Sequence, residues 1–98
     1  IIDFLDKQVP EDWQQWPLDR RRMFLGGQVT GEVKLAPRDR VCALEIWCEA
    51  FGGQAKDFRY SEAAEINDIL RTLPEWEKTP NGLRFGYCGK QRGFQRKR

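Results

Sequence analysis

Residues 61–87 read SEAAEINDILRTLPEWEKTPNGLRFGY and decide the predicted fold, because a helix pattern is followed at once by a hairpin pattern. The first half predicts an amphipathic helix over 61–73, with Ser61 as its N-cap and Pro74 as the residue that ends it. This helix would bury the apolar residues that recur at i, i+3, i+4 and i+7, which are Ile66, Ile69, Leu70 and Leu73.

The second half of the stretch predicts a β-hairpin. Residues 76–78 would form its first strand and residues 83–87 its second. Residues 79–82, TPNG, place Pro and Asn-Gly where a turn with a left-handed residue needs them. The apolar side chains of the second strand alternate onto one face, and they are Leu83, Phe85 and Tyr87.

A second helix is predicted ahead of this unit, over residues 38–51, where Gly52-Gly53 stops it. Its opposite side carries Arg38, Glu45 and Glu49, which we interpret as a solvated helix surface rather than as a catalytic carboxylate pair. Its apolar stripe, widened by Ala43 and Trp47, consists of Val41, Leu44, Cys48 and Phe51.

Residues 1–27 predict a helical extension. Residues 1–7 have the pattern of a helix end, a short helix would begin at Pro10, and a further helix would occupy 17–25 before Gly26-Gly27. Residues 28–34 alternate weakly, which is compatible with a short strand or with an ordered loop.

Two groups in this extension invite a nucleic-acid interpretation. Trp13 and Trp16 lie three residues apart and share a helix face, and the sequence leaves open whether they pack in a core or stack on bases. Arg20, Arg21 and Arg22 are adjacent, so on a helix they point in three directions, and a solvated surface is the favoured interpretation.

These elements predict an α+β fold that is mostly helical. A winged-helix-like module, two main helices plus a C-terminal β-hairpin, would occupy 37–98, with the N-terminal helical extension at 1–27. At 98 residues the chain is expected to form a single domain. It begins Ile1-Ile2-Asp3 without an initiator Met, so we expect a C-terminal fragment of a longer protein.

The charge is distributed unevenly along the chain. Residues 82–98 contain six Lys or Arg and no acid, whereas residues 1–81 contain 11 basic and 15 acidic residues. Basic side chains interleaved with aromatics and glycines suit a phosphate backbone and exposed bases. The alternative interpretation is a solvated terminal strand with a basic tail. The predicted helix over 61–73 has a mainly acidic exposed face, so the hairpin should supply most contacts. The predicted nucleic-acid-binding residues are Arg84, Lys90, Arg92 and Arg96, with Asn67 and Arg71 secondary.

Several kinds of site are excluded. The chain has no His, and its three cysteines lack C-x-x-C spacing, so we expect reduced thiols, no metal and no His-based triad. Residues 84–91 fail the phosphate-loop pattern twice, because Arg84 replaces its first Gly and Gln91 its Ser or Thr. We therefore expect no catalytic residue, no cofactor and no small-molecule substrate. With no membrane span or signal peptide in the sequence, a cytoplasmic location is expected.

The sequence also resembles the C-terminal region of the virulence-associated protein E family over about residues 5–98. The most specific pieces are R-D-R-V-x-A-x-E-I-W at 38–47, E-I-N-x-I-L at 65–70 and G-K-Q-R at 89–92. That family comprises bacterial phage, prophage and pathogenicity-island replication proteins related to primase-helicases. The resemblance implies a parent with an ATP-binding, helicase-like core upstream, which would be a partner of this segment.

Two functions follow as expectations. The first is a DNA-binding accessory domain of a replication helicase or primase, holding duplex or single-stranded DNA on its basic end. The alternative is a docking or oligomerisation module that packs on the helicase core. The surface expected for docking lies in the N-terminal extension and consists of Trp13, Trp16, Met23 and Phe24.

Overall fold

The computed structural model describes residues 1–28, 31 and 33–97. Residues 29, 30 and 32 of the possible strand at 28–34, and Arg98 at the basic end, therefore lie outside the described residues. Short helices precede one long helix in the described part of the chain. They are α1 (Ile2–Asp6), α2 (Leu18–Leu25), α3 (Ala43–Glu45, continued as a π-helical turn over Ile46–Ala50) and α4 (Tyr60–Arg71).

The strands are short, and all their pairings are antiparallel. The central sheet has three strands in the order β3-β7-β4, and β1 pairs with β2 and β5 with β6 in separate ladders. The strands are β1 (Val9–Pro10), β2 (Leu35–Ala36), β3 (Arg40–Val41), β4 (Trp76–Lys78), β5 (Leu83–Arg84), β6 (Lys90–Gln91) and β7 (Phe94–Arg96).

The main core lies between α3, α4 and one face of the central sheet. Val41, Ile46 and Leu70 are fully buried there, and Trp76 and Phe94 close it from β4 and β7. The remaining members are Leu5 from α1, Ala43 and Ile66. Helices on one face of an antiparallel sheet make this an α+β domain, as the sequence predicts.

A smaller core holds the N-terminal extension together. Trp13 and Trp16 are buried beside Val9, and their rings contact Phe24 with edge-on geometry at centroid distances of 5.5 and 5.9 Å. The two tryptophans are therefore packing residues, which decides the question that the sequence left open. The predicted helices near 1–7 and 17–25 are confirmed, with Pro17 as the N-cap of α2.

The predicted helix start at Pro10 is wrong. Pro10 lies in β1 opposite Leu35, and only a 3₁₀ turn over Trp13–Gln15 follows it. Proline has no amide donor and a fixed φ, so it suits a short edge strand as well as a helix start, and the local sequence does not distinguish the two.

The predicted hairpin between residues 76–78 and 83–87 is also wrong. β4 pairs with β7, so that Lys78 lies opposite Phe94, and the chain between them makes a 15-residue excursion over 79–93. The excursion contains the β5–β6 ladder, and a 3₁₀ turn replaces the strand predicted around Tyr87. Pairing with β7 brings Phe94 into the core, where it is 3% exposed, and this burial outweighs the turn preference of TPNG.

The helix predicted over 38–51 begins five residues late. Arg40 and Val41 form β3 against β7, and α3 starts only at Ala43, after the backbone amide of Cys42 donates to Glu45 Oε1 at 3.0 Å. The strand partner is more than 50 residues away, so helical periodicity alone overextends the helix. Phe51, predicted to lie in the apolar stripe, is 54% exposed.

The long helix α4 is confirmed, but its start and one apolar position differ from the prediction. Arg59 rather than Ser61 is the N-cap, and Glu62 accepts a hydrogen bond from the Arg59 amide at 3.2 Å. Ile69 is 42% exposed, because the core covers a narrower stripe than the i, i+3, i+4 pattern includes. Within the described part of the chain, no helix has the length and apolarity needed to cross a bilayer.

Candidate nucleic-acid interface

A basic cleft lies between the C-terminal half of α4 and the base of the central sheet. Asn67 and Arg71 line it from α4, and Lys78 and Arg92 line it from the two ends of the 79–93 excursion. Its volume is about 220 Å³, and no acidic side chain of the described residues lines it. Three of the six predicted contact residues thus meet in one place, with Lys78 as a member that sequence reasoning missed.

Helix geometry separates this cleft from the acidic side of α4. Asn67 and Arg71 are four residues apart and share a face. Glu65 lies about 120–160° around the helix from them, and Asp68 lies about 60° from Arg71 and about 100° from Asn67. Arg71 Nη1 hydrogen-bonds to Asp68, but both side chains are half-exposed or more, so the pair is weak and easily exchanged. The acidic surface therefore does not block the cleft.

The sheet side of the cleft is fixed by a small hydrogen-bond clamp. The Thr79 amide donates to Gly93 O at 2.9 Å, and the Gly93 amide donates to Thr79 Oγ1 at 3.3 Å. These bonds close the excursion where it leaves β4 and rejoins β7. Lys78 and Arg92 flank the clamp, so both charges are held on one side of the sheet.

Arg84 and Lys90 lie elsewhere, at the outer part of the excursion. They face each other in the β5–β6 ladder, and both side chains are exposed. The Lys90 stem lies over Gly82, where a Cβ would come within 3.0 Å of it. Arg84 lines a separate groove, so the structure does not bring these two residues into the α4 cleft.

Arg96 is occupied by contacts within the fold. Its Nε donates to Arg38 O at 2.9 Å and its Nη2 to Leu5 O at 3.2 Å, and the guanidinium lies 4.6 Å from the centroid of the Trp76 ring. The Glu75 carboxylate lies 3.4 Å from Nη1. Arg96 ties α1 to the central sheet and stands apart from the other predicted contact residues.

The most pronounced electrostatic feature is a buried ion-pair network that the sequence did not reveal. Arg21 Nη1 contacts Glu45 Oε2 at 2.7 Å and Glu49 Oε2 at 2.9 Å, and all three side chains are 0% exposed. Arg21 also donates to the backbone oxygens of Trp13 and Trp16 at 2.7 and 3.2 Å. One guanidinium thereby joins α2, the 3₁₀ turn at residues 13–15 and α3.

A second buried arginine completes the charge balance. Arg38 is 2% exposed, with Nη1 at 3.8 Å from Glu45 Oε2 and Nη2 at 3.6 Å from Glu49 Oε1. Its guanidinium lies 4.4 Å from the centroid of the Phe4 ring, and its nitrogens have no hydrogen-bond partner among the described residues. Arg38 therefore acts through charge and stacking, whereas Arg21 is fully hydrogen-bonded.

The pKa values of Glu45 and Arg21 are shifted within this network. Burial raises the pKa of Glu45, and repulsion from Glu49 adds to it, although Arg38 and Arg21 oppose the rise. For Arg21, burial favours the neutral form, but attraction to Glu49 and Glu45 outweighs it and the pKa is raised. Each group thus depends on the others to stay charged inside the core.

Tyr87 connects this network to the 79–93 excursion. Its hydroxyl donates to Glu49 Oε2 at 2.6 Å, and burial together with Glu49 raises the pKa of Tyr87 well above its usual range. Beside it, Gly86 has φ +59° and its Cα is so close to the 3₁₀ turn that a Cβ would lie 2.7 Å from Gln14 O. The excursion is therefore docked against the N-terminal extension.

The interpretation of these charged residues as a solvated surface is corrected by this arrangement. Arg38, Glu45 and Glu49 are buried, and so is Arg21, the middle residue of the Arg20–Arg22 run. One local signal was available: Glu45 stands three residues after Cys42, the spacing of a capping box. Burial of the arginines has no such signal, because their partners come from distant segments.

The thiols and the proposed docking surface can also be placed. Cys42, Cys48 and Cys88 are free, and a hydrogen bond with Cys88 together with burial raises the pKa of Cys42, which keeps it protonated and unreactive. The docking surface expected in the N-terminal extension is wrong in its main members, because Trp13 and Trp16 are only 3% and 2% exposed.

The sequence matches no protein-family model and no curated protein. The resemblance to the virulence-associated protein E family therefore stays a prediction. In the described part of the chain no three His, Cys, Asp or Glu side chains are placed to share a metal ion.

Proposed function

We propose that this chain is a winged-helix-like, non-catalytic nucleic-acid-binding domain. The observation that carries the proposal is the basic cleft of Asn67, Arg71, Lys78 and Arg92, which joins the longest helix to a sheet excursion. Guanidinium and ammonium groups beside an amide suit a phosphate backbone with an adjacent base edge.

The order of helices and strands along the chain supports the winged-helix-like fold in this proposal. Strand β3 leads into α3 and α4, the chain returns through β4, and β7 inserts between β3 and β4 to give the order β3-β7-β4. In a winged helix, the second helix of such a pair approaches the major groove, and the loop between the last two strands, the wing, touches the neighbouring backbone. In this proposal α4 and the 79–93 excursion would take those two roles.

The charge distribution supports different roles for α4 and the 79–93 excursion. The side of α4 that carries Asn67 and Arg71 borders the cleft, and the acidic side with Glu65 points elsewhere. Lys78 and Arg92 add two charges that carry no ion pair within the described residues. Phosphate contacts would therefore dominate affinity, and Asn67, the side-chain amide that lines the cleft, would contact a base.

A non-catalytic role is supported by the state of the buried carboxylates. Glu45 and Glu49 are each neutralised by buried arginines and closed off from solvent, so neither is available to a substrate as an acid or base. The parent we propose, from the family resemblance, is a phage- or prophage-type replication helicase or primase. A phosphate-binding loop encoded upstream would support that parent, and an upstream sequence without one would oppose it.

Fluorescence anisotropy with a labelled DNA duplex at several salt concentrations tests the proposal. The double variant Arg71→Ala/Arg92→Ala should bind more weakly and show a log–log salt slope shallower by about 1.8, at about 0.9 per lost phosphate contact. Arg96 is left in place, because its contacts hold α1 against the sheet.

The matched control is Lys7→Ala/Lys34→Ala, which removes two exposed charges outside the cleft. Its salt slope should stay close to that of the wild type. Absence of duplex and single-strand binding by the wild type at low salt, or an equal loss in the control, would overturn the proposal.

A further inference from the structure

A second groove runs along the seam between the N-terminal extension and the 79–93 excursion. Gln14, Gln15 and Trp16 line one wall, and Arg84 and Tyr87 line the other. The groove has a volume of about 560 Å³ and lies apart from the α4 cleft, with which it shares no lining residue. Of its lining residues only Arg84 is among the predicted wing contacts, and neither that prediction nor the family resemblance assigns a role to the groove as a whole.

The floor and walls of this groove are fixed by contacts already in place. Gly86 approaches Gln14 so closely that a Cβ would lie 2.7 Å from the Gln14 backbone oxygen, which makes the floor a backbone-to-backbone contact. At the rim, Arg40 Nη1 donates to Arg84 O at 3.2 Å, and below it Tyr87 is anchored on Glu49. The groove is therefore a formed feature of the fold.

Every charged residue that lines the groove is positively charged. Arg40 and Arg84 supply the guanidinium groups, and no described lining residue is acidic. Within the described residues, the ion pairing of Arg40 is limited to a long contact with exposed Asp39, at 3.9 Å, and Arg84 has no ion pair. Arg20 lies above Trp16, 3.9 Å from the ring centroid, and adds a further charge next to this wall.

Two side-chain amides belong to this wall, one exposed and one buried. Gln14 Oε1 is buried and has no hydrogen-bond partner among the described residues, and exposed Gln15 adds a second amide. A buried amide oxygen without a partner is costly unless something donates to it. Exocyclic amino and imino groups of nucleobases are such donors, whereas carboxylates of an acidic peptide are not.

The shape of the groove distinguishes a single strand from a duplex. The base edges of a duplex are read by convex elements, a helix or a ribbon, that enter its own grooves. Helix α4 beside the other cleft is such an element, whereas no α-helix of the described residues lines the seam groove. A concavity with guanidinium groups on its rim and amides on its wall suits a flexible strand with splayed bases. Trp16 is buried and covered by Arg20, so hydrogen bonds and phosphate contacts, rather than stacking, would hold that strand.

We propose that the seam groove of Gln14, Gln15, Arg40 and Arg84 is a second nucleic-acid site, which takes a single-stranded segment. This inference rests on the proposed function in that both need nucleic acid as the partner, but it uses different residues. The α4 cleft would hold the phosphates of a duplex, and the seam groove would hold an unpaired strand.

The test compares a fluorescein-labelled oligo-dT with a labelled duplex by anisotropy at low salt. The groove variant Arg40→Gln/Arg84→Gln keeps the side-chain stems and should weaken oligo-dT binding at least about tenfold, with a salt slope shallower by about 1.4. Duplex affinity should change less than about threefold, whereas Arg71→Ala/Arg92→Ala should show the reverse preference. Lys7→Ala/Lys34→Ala is again the control for charge.

A second variant distinguishes a loss of binding from a loss of folding. Arg84→Glu changes only an exposed side chain, so its urea-unfolding midpoint should match the wild type. It lowers the charge by two, as the double Gln variant does, so oligo-dT binding should fall by a similar factor. Equal losses for oligo-dT and duplex in the groove variant, or a loss no larger than in the control, would overturn the groove site and leave the proposed function intact.

Two further outcomes are decisive. Polyglutamate and unlabelled oligo-dT are compared as competitors at equal total charge. If polyglutamate displaces the labelled oligo-dT equally well, the groove is a site for acidic proteins and the inference fails. If the wild type binds oligo-dT but not the duplex, and the groove variant abolishes that binding, the seam groove stands and the role of the α4 cleft in duplex binding fails.

Discussion

Arg21 and Arg84 are the same side chain in two opposite environments. Arg21 is fully buried between two carboxylates and two backbone oxygens, and Arg84 is exposed at the rim of a groove with no ion pair among the described residues. In the core, each charge is held by partners from other segments. On the 79–93 excursion, Arg84 and Lys90 are exposed and have no ion pair among the described residues.

The difference teaches that a run of charge in a sequence does not say where the charge ends up. Arg20, Arg21 and Arg22 are consecutive, yet only the middle one is buried. A buried charge must be paired, because desolvation costs several kcal/mol per ion, so substitutions in the core should change stability and those on the excursion should change binding. The following experiments test that separation.

The largest effect is expected for Arg21→Ala. Removing the guanidinium leaves Glu45 and Glu49 buried with only Arg38 nearby, and the free energy of unfolding should fall by about 3–5 kcal/mol. Urea denaturation followed by circular dichroism measures it. Arg20→Ala, one residue away and exposed, is the control and should cost less than about 1 kcal/mol. Equal effects of the two substitutions would contradict the buried network.

Gly86→Ala should come next, at about 2–4 kcal/mol. Its positive φ of +59° disfavours a side chain, and the new Cβ would lie 2.7 Å from the Gln14 backbone oxygen. Gly52→Ala is the matched control, because Gly52 has φ +68° but open space around its Cα, so only the backbone cost of about 1–2 kcal/mol remains. If Gly52→Ala costs as much, the excursion is not docked on the 3₁₀ turn.

Tyr87→Phe should cost about 1.5–3 kcal/mol. The substitution removes the hydroxyl that donates to Glu49 Oε2 at 2.6 Å, and a hydrogen bond to a charged group is worth more than a neutral one. Thermal unfolding of the two proteins at neutral pH measures the difference. A melting temperature equal to that of the wild type would show that the excursion is not anchored through this bond.

The pH dependence of the network gives a more gradual effect. The folded-state pKa of Glu45 is raised above its unfolded value of 4.5, so the folded state takes up the proton first. The wild type should therefore gain stability relative to Glu45→Gln as the pH falls from the raised folded value towards 4.5. Urea titrations of both proteins across that window measure the gap in unfolding free energy. If the wild type instead loses stability relative to Glu45→Gln on acidification, folding lowers the pKa of Glu45.

The smallest effect on stability is expected for Arg84→Ala. The side chain is exposed and unpaired within the described residues, so the free energy of unfolding should change by less than about 0.5 kcal/mol, while single-strand affinity falls. Parallel urea and anisotropy measurements on one preparation check both halves. A stability loss as large as that of Arg21→Ala would abolish the distinction between core and excursion arginines.

Part of the fold and of the site is predictable from the sequence. Helix α4 follows from its apolar periodicity, and the pairing of Asn67 with Arg71 follows from their four-residue spacing. The basic character of the excursion follows from composition. Lys78 escapes prediction because its pattern is that of an ordinary hairpin strand, whereas its place beside the cleft depends on the distant partner β7.

The remaining features depend on contacts between segments far apart in the chain. Periodicity reports one face of one element, and on that basis Glu45 and Glu49 are expected in solvent. Their burial needs Arg21 from α2 and Arg38 from the segment before β3, and no local pattern encodes that meeting.

The sequence by itself determined the α+β composition, the long helix, the free cysteines and the concentration of positive charge at the C-terminal end. The tertiary structure alone decided which arginines are buried, which strand β4 pairs with, and how two basic concavities form on either side of the excursion. The physical reason is range: helical periodicity and composition are local properties, whereas strand pairing and the desolvation of charge are settled only when distant segments pack together.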